Sequence, residues 1–72
     1  MSKAKKPMDL SKREMQVLKL IADGLSDKEI ADKLSVSIHT PGVHRTHIYQ
    51  KLNVNSAVMA VRVALRAGWI KV

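Results

Sequence analysis

The sequence predicts an all-α protein, a compact four-helix domain in which the second and third helices form a helix-turn-helix. Three observations carry that expectation. Two S-x-x-E boxes, Ser11 to Glu14 and Ser26 to Glu29, mark helix starts. Gly24 and Gly68 stand where helices would stop. Alternating runs of β-branched and aromatic residues, the mark of strands, are missing from a chain with no Phe, one Trp and one Tyr.

The first helix is expected to open on Ser11, with Leu10 placed to staple onto Met15. Val17, Leu18, Ile21 and Ala22 then recur at helical spacing up to Gly24. The second is short, about nine residues, capped by Ser26 and buried through Ile30, Ala31 and Leu34. Only Ser35, Val36 and Ser37 separate it from the third helical stretch, roughly residues 38–52, so the two helices meet across a tight turn. With Ile48 as reference and 100° per residue, Pro41, His44, Arg45 and Leu52 fall within about 60° of it and face inward. His39, Gly42, Val43, Thr46 and Gln50 lie opposite, a face suited to hydrogen bonding. The start of this helix admits two readings. Ser37 can cap it, which puts Pro41 in the fourth helical position, or Thr40 can cap it with Pro41 as the first residue; proline geometry favours the later start.

Asn53, Val54 and Asn55 break the chain before a fourth helix that Ser56 can cap and Gly68 can end. Between Ala57 and Ala67 only Arg62 and Arg66 are polar. Ala60, Val61, Ala64 and Leu65 make an inward face, which leaves Val58, Met59 and Val63 for a second surface. A helix apolar on two sides needs two partners, and a second copy of the chain would serve as one of them.

Seventy-two residues make one domain, close to the lower size limit for a single core without staples. No cysteine is present, which excludes disulfides and thiolate metal sites and fits a reducing cytoplasm. No apolar run approaches the roughly 18 residues of a membrane span. Residues 1–8 read as a basic flexible tail or linker and residues 9–72 as the domain. The formal charge is +7, unevenly spread: all six acids precede residue 33. From there on the chain carries Lys33, Arg45, Lys51, Arg62, Arg66, Lys71 and all three histidines without a single acidic side chain. A purely basic half is an electrostatic footprint for a polyanion, since phosphate neutralisation supplies most sequence-independent affinity for nucleic acid.

His39, His44 and His47 invite a metal reading, yet zinc needs a third or fourth ligand and the available carboxylates lie in the other half of the chain. No metal and no cofactor are expected, and His44 reads as a partly buried, hydrogen-bonded residue that steadies its helix. Nor does any spacing mark a nucleophile elbow, a phosphate loop or a paired-carboxylate site, so no catalytic residue is assigned.

The run from Leu10 to Ser37, with Thr40, His44, I-Y-Q-K-L-N-V at 48–54 and A-L-R-A-G-W-I at 64–70, resembles the LuxR/GerE-type helix-turn-helix domains at the C-terminus of response regulators and quorum-sensing receptors. The resemblance implies a third helix that enters the major groove of double-stranded DNA, and a second helix and adjoining residues that touch the backbone. It also implies dimers paired through the fourth helix, two-fold half-sites, and an upstream receiver or ligand-binding domain. The family's Thr-Val-Lys at the start of the reading helix is replaced here by Thr40, Pro41 and Gly42, so an expected cation is missing. The base-facing residues are then Thr40, Gly42, Val43, Thr46, His47 and Gln50: Val43 suits a thymine methyl and Gln50 an adenine. Ser26, Lys28, Arg45 and Lys51 are the expected phosphate contacts, and Val58, Met59, Arg62 and Val63 the dimer surface. The function expected is a sequence-specific transcription regulator of the bacterial cytoplasm, nucleoid-associated when bound. The alternative is an interaction or dimerisation module on the same fold that has lost its DNA reader.

Overall fold

In the computed structural model, which describes residues 10–70, four helices follow one another: α1 (Lys12–Ala22), α2 (Asp27–Leu34), α3 (Thr40–Leu52) and α4 (Ala57–Ala67). The tail assigned to residues 1–8 lies outside the described residues. No strand occurs among those described.

Both capping boxes are formed. Glu14 N–H donates to Ser11 Oγ at 3.1 Å while Ser11 N–H donates to Glu14 Oε1 at 3.0 Å. The second box repeats this between Ser26 and Glu29 at 3.2 and 2.8 Å. Each box satisfies two of the amides that a helix start leaves without partners. At the other end of α1, Gly24 takes φ +89°, which lets Leu25 N–H reach back to the Leu20 carbonyl at 3.2 Å. Ser56 caps α4 by accepting from Met59 N–H at 3.2 Å, and Gly68, at φ +80°, ends it.

The start of α3 differs from both readings of the sequence. Five residues separate it from α2 instead of three, and its N-cap is His39, which makes no side-chain capping bond. Proline is the cause. It is tolerated only in the first helical turn, because deeper in the helix it lacks a needed donor and crowds the preceding carbonyl. The chain therefore makes one separate turn, with Thr40 N–H donating to the Ser37 carbonyl at 2.9 Å and His39 N–H to Ser37 Oγ at 3.2 Å. Helix begins only at Thr40, with Pro41 as its second residue, so the expected reading helix of 38–52 is shortened by two residues.

Val17, Leu18, Ile30, Ile48, Ala60 and Ala64 are completely buried, with Ile21 and Ile70 nearly so. Each of Leu18, Ile30 and Ile48 contributes about 2 kcal/mol through the apolar surface it removes from water. α1, α3 and α4 pack on one another around these residues, while α2 rests on α1 and α3 and does not reach α4. The second and third helices are thus held from behind by α1, and their outer sides stay open. Leu65 corrects the inward face expected for α4: it is exposed, and two alanines, Ala60 and Ala64, fill the contact instead. Leu65 instead lines an open groove with Ile21 and Val61 at the flank of this contact.

Candidate nucleic-acid interface

α3 presents two chemically distinct sides. Pro41 and Ile48 are buried against the other helices, with His44, Arg45 and Leu52 half-buried beside them. The opposite side exposes Val43, Thr46, His47 and Gln50, flanked by half-buried Thr40 and Gly42. All six expected base-facing residues therefore lie along one helix, four of them exposed. Thr46 Oγ donates to the Gly42 carbonyl one turn back at 3.1 Å, so its hydroxyl keeps acceptor capacity toward the outside. A side chain at Gly42 would meet no atom within 4 Å, so nothing in the fold requires a glycine there.

Two of the four expected phosphate contacts are tied down inside the domain. Arg45 Nε donates to Asp27 Oδ1 at 2.7 Å, and its Nη1 donates to the Tyr49 hydroxyl at 3.1 Å. Burial works against the Arg45 charge, but the hydrogen bonds to Tyr49 and Asp27 and the Asp27 charge outweigh it and raise its pKa above the ordinary arginine value. The bond joins the first turn of α2 to the middle of α3, and so sets the angle between the two helices. Lys51 Nζ donates to Glu14 Oε1 at 2.7 Å, tying the last turn of α3 to the first turn of α1. Burial pushes the Glu14 carboxyl up, yet the hydrogen bonds from Lys51 and from Ser11 N–H, with the charges of Lys51 and His44, hold it below its ordinary value. Of the other two, Ser26 is exposed with its hydroxyl oxygen accepting the cap bond from Glu29 N–H, and Lys28 is exposed beside it.

Neither ion pair was legible beforehand. Asp27 and Arg45 are 18 residues apart and Glu14 and Lys51 are 37 apart, with no local pattern connecting them. His47 shares the second cluster, its Nδ1 at 3.7 Å from Glu14 Oε2, beyond hydrogen-bonding distance. His44 departs from expectation: it is partly buried, but its enclosed Nδ1 has no hydrogen-bond partner. Among the described residues no group of three or more acidic or histidine side chains is placed to hold a metal, and no helix is long and apolar enough to cross a membrane.

On α4 the expected dimer surface falls on two faces. Val58 and Arg62 line an open apolar groove with Ile21, Ala57, Val61 and Leu65. Met59 instead lines a smaller recess with Asn53, Val54 and Asn55, and Val63 is half-buried.

A short helix braced against a second, with the second helix's outer side open, uncharged and rich in hydrogen-bonding groups, defines a helix-turn-helix DNA-binding module of a transcription regulator. The pattern of bacterial regulatory proteins of the luxR family matches residues 8–64, and the chain belongs to that family. It is 54% identical over 57 residues to the oxygen regulatory protein NreC of Staphylococcus carnosus, covering 79% of this chain and 26% of that protein. The Staphylococcus epidermidis NreC is 51% identical over the same shares. Among solved structures, the response regulator ChrA of a heme-sensing two-component system superposes with a TM-score of 0.81 at 36% identity, covering 93% of this chain and 33% of that one. The chain spans about a quarter of the length of the curated relatives it matches.

Proposed function

We propose that the domain binds duplex DNA in a sequence-specific manner by laying the outer side of α3 in the major groove. Thr40, Gly42, Val43, Thr46, His47 and Gln50 face the bases in this reading, and Ser26 and Lys28 meet the backbone. The single observation that carries it is the two-sided character of α3: Pro41 and Ile48 anchor it rigidly while Val43, Thr46, His47 and Gln50 stay exposed. The acid-free stretch from Lys33 onward supplies the long-range attraction. Arg45 and Lys51 act chiefly as positioning residues that hold α3 to α2 and α1, and contribute to phosphate attraction as charges rather than as open hydrogen-bond donors.

Pairing of two copies through α4 belongs to the same reading. Val58 is 68% exposed and stands in an apolar groove, a surface that a second copy would cover, presenting two α3 helices to half-sites related by two-fold symmetry. The matched relatives are several times longer, and ChrA is a response regulator. By analogy, this domain serves as the output end of a regulator with an upstream receiver domain, working in the cytoplasm at the nucleoid.

Fluorescence anisotropy with a nonspecific duplex tests the reading. Binding is expected at about 50 mM salt and should weaken steeply as salt rises. Absence of binding at that salt overturns it in favour of a protein-interaction module.

A further inference from the structure

The two permanent cations of α3 are both turned to carboxylates of the domain itself, Arg45 to Asp27 and Lys51 to Glu14. None of Val43, Thr46, His47 and Gln50, the exposed set on the other side, carries a permanent charge. One of them can acquire a charge, since histidine gains and loses a proton within the physiological pH range. His47 Nδ1 stands 3.7 Å from Glu14 Oε2, and the two side chains differ sharply in exposure, 53% against 6%. The imidazole thus reaches from a buried carboxylate on α1 to the open side of α3. The oxygens of Glu14 are divided between two tasks: Ser11 N–H and Lys51 Nζ both donate to Oε1, and Oε2 is the one turned to His47. A hydrogen bond between them needs an approach of under about 1 Å.

A carboxylate at one ring nitrogen decides which nitrogen of a neutral imidazole carries the proton. Beside Glu14 that nitrogen is Nδ1, which leaves Nε2 as an acceptor; a second proton turns Nε2 into a charged donor. The surrounding charges decide what this adds. Lys51 already balances Glu14, and Arg13, next to Glu14 on α1, is exposed. His44 acts on Glu14 through its charge, but its own Nδ1 is enclosed without a partner. From α2, the Asp27 carboxylate is held by Arg45; α4 brings only Arg62, in the groove with Ile21, and Arg66. With no acid left over to neutralise it, a proton on His47 puts a net positive charge on the open side of α3.

We propose that Glu14 orients His47 as a proton-controlled contact for duplex DNA, so that the module binds more tightly as the pH falls through the range in which histidine takes up a proton. The proposal rests on the DNA-binding reading and adds a control to that same surface; Glu14 is a positioning residue, and His47 the contact. Anisotropy with a nonspecific duplex at about pH 8 and about pH 6 tests it. At about 50 mM salt the affinity should rise about tenfold between the two, and the salt dependence should steepen by about one ion, as expected for one added cation at the duplex. In His47→Gln, an exchange at an exposed site, affinity and salt dependence should be the same at both pH values. His39→Gln should keep the difference. The part of Glu14 is read without DNA: nitrogen NMR of the unaltered protein at about pH 8 should find the His47 proton on Nδ1. Equal affinity at the two pH values, a difference that survives His47→Gln or vanishes in His39→Gln, or a proton on Nε2 overturns the proposal and leaves DNA binding standing. No binding at either pH at that salt removes the DNA reading itself, and the switch with it.

Discussion

Two helix starts in this small domain were built by different rules. α1 begins on Ser11 with an extended backbone, a reciprocal capping box and a glutamate that also holds Lys51 of α3. α3 begins on His39, whose backbone is already helical at φ −81° and ψ −19°, with no capping side chain, a proline in its second position and a glycine in its third. The first start is locally over-determined; the second is held by its surroundings, through Asp27 to Arg45 and through Lys51 to Glu14. Three helices that open on a serine side-chain cap support one that does not, and departures from local consistency are expected where a protein works.

The largest effect should come from removing the residue that serves both ends. Glu14→Ala deletes the capping-box acceptor and leaves Lys51 without its bonded carboxylate, and should lower stability by about 3 kcal/mol in urea unfolding. A loss under about 1 kcal/mol would mean that α3 is not held through this contact, since a cap alone accounts for that much. The same residue sets an acid dependence. Its folded pKa lies below the ordinary value, so the stability it adds is complete above roughly pH 4.3 and is lost as pH falls from there through the lower folded pKa. Glu14→Gln should flatten the stability curve in that window; an unchanged curve would assign the acid lability to other carboxylates.

Caps give the next effect and a direct contrast between the two kinds of start. Ser56→Ala removes the acceptor for Met59 N–H and should cost about 1 kcal/mol. His39→Ser should change stability by less than about 0.5 kcal/mol, even though serine is a favoured cap, because a cap side chain needs an extended backbone and residue 39 is helical. A clear gain from His39→Ser would show that the start of α3 can relax into ordinary capping geometry, and the contrast would lose its basis.

The legible and illegible parts of the fold divide along the same line. Ser11, Gly24, Ser26, Ser56 and Gly68 act on atoms within a few residues, and the structure uses each as the sequence suggests. The outer face of α3 was legible too, since helical geometry alone places Val43, Thr46 and Gln50 opposite Ile48. Arg45 and Lys51 show the limit. Their charges read as phosphate contacts, but their nearest anions come from the chain itself, across 18 and 37 residues. Leu65 failed for another reason: on a helix apolar on two sides, periodicity cannot tell the face that meets the core from the one beside it.

The smallest effect separates what α3 needs for folding from what it needs for its ligand. Gly24 and Gly68 have positive φ, so alanine at either site is strained by about 1 kcal/mol or more. Gly42 is helical, with empty space where a side chain would begin. Gly42→Ala should therefore raise stability by about 0.5–1 kcal/mol, through helix propensity and a less flexible unfolded chain. Gly42→Lys should fold equally well and, if the proposed docking holds, steepen the salt dependence of DNA binding by about one ion, since that reading turns residue 42 toward the duplex. If Gly42→Ala destabilises the domain, the backbone at residue 42 is not helical and the late start at Thr40 is wrong. If it stabilises the domain while weakening DNA binding, the glycine is kept for close approach to the duplex, and the weak start of α3 belongs to recognition rather than to folding.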